Sequence, residues 1–118
     1  MIIFIIDYQE IVQYDELETT ENKIMQEFAN RLGFTTQQIL EPNKKTHMAE
    51  LRHLYCKLRS ENHSESFSVI ARELGRSHTA VIRGLERINA LYNTNDELTV
   101  ERWNKVKNIP QTSISKDD

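Results

Sequence analysis

Residues Ser66–Ile88 decide the fold, and they read SFSVIARELGRSHTAVIRGLERI. Ala71 is small, which lets a second helix approach the first closely, and Gly75 suits the positive φ of a tight turn. Val81 is spaced to anchor the second helix in the core. Because these landmarks fall in one uninterrupted stretch, the sequence predicts a helix-turn-helix, with a plain helical hairpin as the alternative.

The second helix of this predicted pair has two different faces. The apolar seam that joins it to the first helix consists of Ile70, Leu74, Val81, Leu85 and Ile88. At about 100° per residue, four residues of the second helix fall on the side away from the core: Thr79, Ala80, Arg83 and Arg87. A solvated face more often mixes glutamate with lysine, and here only Glu86 interrupts the outer face.

Cap and stop signals along the rest of the chain predict an all-α bundle of five or six helices. Gly33 is placed to end the first helix, and Thr35 opens a capping box. Thr46 and Ser66 are predicted to cap two later helices. The predicted helices cover 21–32, 36–40, 46–59, 66–74, 77–92 and 98–106, with a loop at 60–65 and a turn at 93–96.

The ends of the chain are predicted to lie outside the bundle. Residues 1–20 form an acidic and apolar extension, 21–107 the helix-turn-helix domain, and 108–118 a disordered tail. Met1–Ile6 is apolar and rich in β-branched residues, which favours a short strand or extended segment. This segment could cover the core, pair with a second copy or dock a protein partner. It is too short for a signal peptide or a membrane span, so a cytoplasmic protein without membrane contact is expected.

The net charge of −3 hides an uneven distribution. Residues 1–43 hold eight acidic and two basic residues, a net charge of −6. Residues 44–87 hold nine basic and five acidic residues, a net charge of +4. Because phosphate attraction acts over roughly 8 Å, a basic middle segment favours nucleic-acid binding even in an acidic chain.

Other chemistry receives less support from the sequence. His47, His53, Cys56 and His63 lie in one region, but a zinc site needs four tetrahedral ligands, so a packed Cys56 with exposed histidines is preferred. The single cysteine cannot form an internal disulfide, which suits a reducing compartment. His78 has no nucleophile beside it. We therefore predict no enzyme activity, no metal and no cofactor.

Residues 75–84, which read GRSHTAVIRG, resemble the signature of the C-terminal DNA-binding domain of the bacterial replication initiator DnaA. That signature is a glycine, then Arg-Asp-His-Thr-Thr-Val, an apolar residue and His-Ala, and the resemblance extends over about residues 21–107. The chain departs from the family at Ser77, Ala80 and Arg83, and it has one glycine where the family has a pair. The connection before the long helix is shorter but keeps Lys44 and Lys45.

The resemblance implies a sequence-specific protein that reads double-stranded DNA with its second helix in the major groove. It implies base contacts by Ser77, His78, Thr79 and the position of Ala80, and the changed Arg83 implies a different target site. A full initiator is not expected, since no phosphate-binding glycine loop occurs. A protein-interaction module, or a transcriptional or mobile-element regulator with the same fold, is the alternative. The predicted DNA-binding residues are Lys44, Lys45, Ser66, Arg72, Arg76, Ser77, His78, Thr79, Ala80, Arg83 and Arg87.

Overall fold

The computed structural model describes residues 14–42 and 45–111, and within them it contains helices and no strand. The all-α bundle predicted from the sequence is confirmed. The strand expected at Met1–Ile6, the predicted DNA contact Lys44 and residues 112–118 lie outside the described residues. The helices are α1 (Tyr14–Leu32), α2 (Thr36–Leu40), α3 (Thr46–Lys57), α4 (Phe67–Leu74), α5 (His78–Asn93) and α6 (Glu97–Val106).

Local signals set most helix ends. The Thr35 hydroxyl accepts from the Gln38 backbone N–H while the Gln38 side chain accepts from the Thr35 N–H, so the predicted capping box forms. Ser66 caps α4 and Ser77 caps α5, each by accepting a backbone N–H three residues ahead. Gly75 ends α4 with φ of +66°, the left-handed conformation that the turn requires.

Four local predictions from the sequence differ from the structure. Helix α1 begins at Tyr14 rather than residue 21, because residues 14–20 (YDELETT) lack the apolar periodicity that would reveal a helix. Thr46 is the first residue of α3 and not its cap; Lys45 precedes the helix without a side-chain cap. A π-helical turn, Leu58–Asn62, continues α3 into the predicted loop. Ile109, placed in the predicted tail, is buried in the core.

The core lies between α3 and the surrounding helices. Helix α3 packs against α5 and α2, and α1 packs against α6. Phe28 of α1 meets Tyr55 of α3 edge to face at 5.3 Å between ring centroids. The five seam residues predicted from the helix-turn-helix are all buried: Ile70, Leu74, Val81, Leu85 and Ile88. The second helix of the motif is therefore fixed against α3 and α4.

A buried polar network fixes the π-helical turn to α4. Arg59 forms an ion pair with Glu73 at 2.6 Å, and the Tyr55 hydroxyl donates to the same carboxylate at 2.6 Å. Arg59 also donates to His63 Nδ1 at 3.0 Å, and His63 Nε2 donates to the Ile109 carbonyl at 2.8 Å. These bonds satisfy the buried charges and hold α4, the first helix of the motif, in place.

Candidate nucleic-acid interface

The leading end of α5 is open to solvent. Ser77 caps the helix, and His78, Thr79 and Ala80 are exposed, whereas Val81 is buried against the core. The outward direction predicted for Thr79 and Ala80 is therefore confirmed. In helix-turn-helix proteins generally, this end of the second helix is the one that enters the major groove.

His78 is held at the tip of this end by the helix before it. Its ring meets the Phe67 ring edge to face at 5.7 Å between centroids. Phe67 is the first residue of α4, so this contact joins the starts of the two motif helices. His78 is exposed, and its contact with the phenyl ring restricts its position.

Arg83 and Arg87 extend the exposed face along α5. Both are exposed, and neither has a hydrogen bond or an ion pair within the described part of the chain. An open groove between α5 and α3 runs beside them. It is lined by His53, Ser77, Thr79, Ala80, Arg83, Gly84 and Arg87. The charged groups of this lining are all cationic, which favours an anionic partner.

Arg76 is engaged by the backbone of the protein. The half-buried side chain donates to the carbonyls of Leu74 at 3.0 Å and of Glu41 at 3.3 Å. Arg52 donates to the carbonyl of Ile39 at 2.9 Å. Arg76 therefore ties the start of the connection between α2 and α3 to the helix-turn-helix, whereas Arg52 ties α2 to α3. Lys45, which follows this connection, is exposed immediately before α3.

The two remaining predicted contacts lie on α4. Arg72 is exposed in the last turn of this helix. Ser66 is exposed at its start, and its oxygen accepts the Val69 N–H at 3.2 Å. Because a hydroxyl can accept and donate together, Ser66 and Ser77 can cap their helices and still donate to a ligand.

The histidine and cysteine cluster does not form a metal site in the part of the chain that the structure describes. Cys56 is buried, and burial raises the pKa of its thiol to about 12. The prediction of exposed histidines is wrong for His63, which is buried and bonded at both ring nitrogens. It is also wrong for the half-buried His53, whereas His47 is exposed.

The contact between His53 and Gly84 was not predicted. A Cβ at residue 84 would lie 2.5 Å from Cδ2 of His53, so the imidazole occupies the space beside the bare backbone of α5. A glycine in the middle of a helix signals a close approach, but the sequence does not say which residue approaches. The pairing depends on how α3 crosses α5.

Residues 22–88 match the family model described as the bacterial DnaA protein helix-turn-helix. The chain belongs to this family. The match covers the chain from residue 22 in α1 to the buried Ile88 in α5, so it includes α4, the turn and α5 as far as Ile88. No curated protein and no solved structure matches the chain. Within residues 14–42 and 45–111, none of the helices combines the length and the apolar character that crossing a membrane needs.

Proposed function

We propose that this chain binds double-stranded DNA in a sequence-specific manner, with the N-terminal half of α5 in the major groove, and that it is not a full replication initiator. The observation that carries the proposal is the outer face of α5. There exposed Thr79, Ala80, Arg83 and Arg87 lie beside a groove with only cationic charges. This surface suits the phosphates and base edges of a duplex.

Within this proposal, Ser77, His78, Thr79 and Arg83 read bases. The Ala80 methyl can touch a thymine methyl, and the Arg83 guanidinium can make a bidentate contact to guanine, so the preferred site differs from that of the initiator. Phosphates are contacted by the surrounding polar and basic residues: Lys44, Lys45, Ser66, Arg72, Arg76 and Arg87. Arg76 also donates to the carbonyls of Leu74 and Glu41, so part of its guanidinium is engaged by the protein itself.

The decisive experiment is duplex binding measured by fluorescence anisotropy over a series of salt concentrations. We expect affinity to fall steeply with salt, because each phosphate contact contributes about 0.9 to the log–log slope. The variant Arg87→Ala should lower that slope by about 1. Lys105→Ala is the matched control, since this exposed cation lies on α6 and outside the groove, and it should leave the slope unchanged.

The alternative is a protein-interaction module, and the acidic residues 1–43 with a net charge of −6 favour it. Such a segment could attract a basic partner or a second copy of the chain. Binding that is undetectable on every duplex at low salt, or that does not respond to salt, would support this alternative and exclude the proposed function.

A further inference from the structure

Two adjacent cavities between α3 and α5 share His53 and Ala80. The outer one is the groove described above, and the inner one adds Arg52, Cys56 and Arg76 to the lining. Four arginines and a histidine thus face the two cavities, and no acidic side chain of the described residues lines either of them. Positive charge concentrated in this way attracts an anion.

His53 lies at the point where these cavities meet, and its hydrogen bonding is incomplete. Its Nδ1 atom is buried and has no hydrogen-bond partner among the described residues. The ring cannot retreat toward α5 without meeting the Gly84 backbone. A buried polar atom without a hydrogen bond costs free energy. This cost points to a ligand whose binding changes the environment of the His53 ring.

We propose that the groove seats one phosphate group of the DNA backbone between Arg87 and His53, and that His53 takes up a proton from solvent as the phosphate binds. This inference rests on the proposed function, because a strand bordering the major groove would pass beside the exposed face of α5. It adds a contact that neither the sequence motif nor the family match assigns. Arg83 remains free to reach the bases.

The charges around His53 determine whether its pKa rises or falls when DNA binds, and therefore how DNA affinity changes with pH. On α3, the neighbours of His53 are Arg52 and Cys56, and the raised pKa of the Cys56 thiol keeps that thiol neutral. On α5, its neighbours are Arg83 and Arg87. Arg76 lies in the turn before α5. In the free protein, burial and then the charges of Arg87 and Arg52 lower the pKa of His53 to about 4. A phosphate opposes that repulsion and raises the pKa. Because the complex then holds more protons, DNA affinity rises as pH falls.

The first test compares affinities for a labelled duplex at pH 7.5 and pH 5.5 and at one salt concentration. A bound-state pKa of about 6 gives the wild-type chain about a fourfold gain from this proton at the lower pH. His53→Phe keeps a ring against Gly84 but cannot be protonated, so it should lose that part of the gain. His47→Asn is the matched control on the same helix, since His47 is exposed and lies outside both cavities.

The second test uses the wild-type chain and follows the His53 ring protons by NMR across pH. The ring should titrate near pH 4 alone and at least one unit higher with duplex. A rise with inorganic phosphate and none with duplex would assign the seat to free phosphate and overturn the DNA contact. An unchanged titration with bound duplex, or an equal pH gain in His53→Phe, overturns the inference while leaving the proposed function intact. No duplex binding by the wild-type chain would instead remove the proposed function itself.

Discussion

The basic side chains of this protein lie in two regions that behave differently. On α3 and the π-helical turn, Arg52, Lys57 and Arg59 are buried, and each is bonded to the protein. On the outer face of α5, Arg83 and Arg87 are exposed and have no partner within the described residues. Basic residues of one sequence segment therefore hold the fold together on α3 and the π-helical turn, whereas on α5 they leave their charge exposed to solvent.

This difference shows what a charge count cannot reveal. The net charge of +4 over residues 44–87 treats all nine basic residues alike. Three of them are buried, so they contribute to packing instead of phosphate contact. The favourable charge that DNA meets comes from fewer residues than the sequence suggests, and the clustering of arginines beside one groove matters more than their number.

The largest loss of stability is expected when a buried basic residue loses its acidic partner. Glu73→Ala removes the partner of Arg59, whose side chain is only 6% exposed, and also the acceptor of the Tyr55 hydroxyl. An uncompensated buried charge costs about 3–5 kcal/mol, so the free energy of unfolding should fall by that amount. Urea denaturation followed by the fluorescence of buried Trp103 measures it.

The control for this prediction is Glu86→Ala, which removes an exposed carboxylate from α5. Its effect on the free energy of unfolding should stay within about 0.5 kcal/mol. A loss below about 1 kcal/mol for Glu73→Ala would mean that Arg59 finds solvent or another acceptor, and the contrast between the two regions would weaken.

In the exposed region, we expect substitutions to lower DNA affinity and not stability, and the effect should be smaller than that of Glu73→Ala. Arg83→Ala should leave the unfolding free energy nearly unchanged but should weaken binding to the preferred site by about 1–3 kcal/mol, with relaxed selectivity at one base pair. The preferred site is obtained first by selecting bound fragments from random duplexes. Lys45→Ala serves as the comparison and should weaken all duplexes about equally. A uniform loss with Arg83→Ala would make that arginine a phosphate contact.

The smallest effect is expected at Lys57, a buried basic residue whose charge contacts aromatic rings. Lys57 lies over the rings of Tyr92 and Trp103, 4.7 and 4.9 Å from their centroids, and it donates to Asn89. Lys57→Met keeps the apolar stem and loses the charge, so the unfolding free energy should fall by only about 1 kcal/mol. DNA affinity should not change. A weaker affinity without a loss of stability would show that this buried charge is felt at the DNA surface.

Much of the fold follows from local signals in the sequence. The glycine at residue 75, the serine cap at Ser66 and the capping box at Thr35 act within a few residues of chain, so the order of the amino acids is enough to reveal them. The outward face of α5 follows from helical geometry in the same way. These features place the predicted base-reading residues on one exposed surface.

The features that escaped prediction depend on tertiary contacts. Arg76 looks like a phosphate ligand in the sequence, yet its bond to the Glu41 carbonyl depends on how a distant loop returns to the motif. Ile109 looks like part of a polar tail, but its side chain is buried and its carbonyl accepts from His63. The contact of His53 with Gly84 requires the crossing of two helices. No local spacing encodes any of these three pairings.

The contact between His53 and Gly84 also constrains how this chain can change by mutation. A methyl group at residue 84 would lie 2.5 Å from the imidazole, so Gly84→Ala requires the His53 ring to shift or α3 and α5 to separate. If residue 53 first becomes alanine, the same methyl fills the vacated space. The cost of a side chain at residue 84 therefore depends on which residue occupies position 53, so we expect substitutions at these two positions to be epistatic.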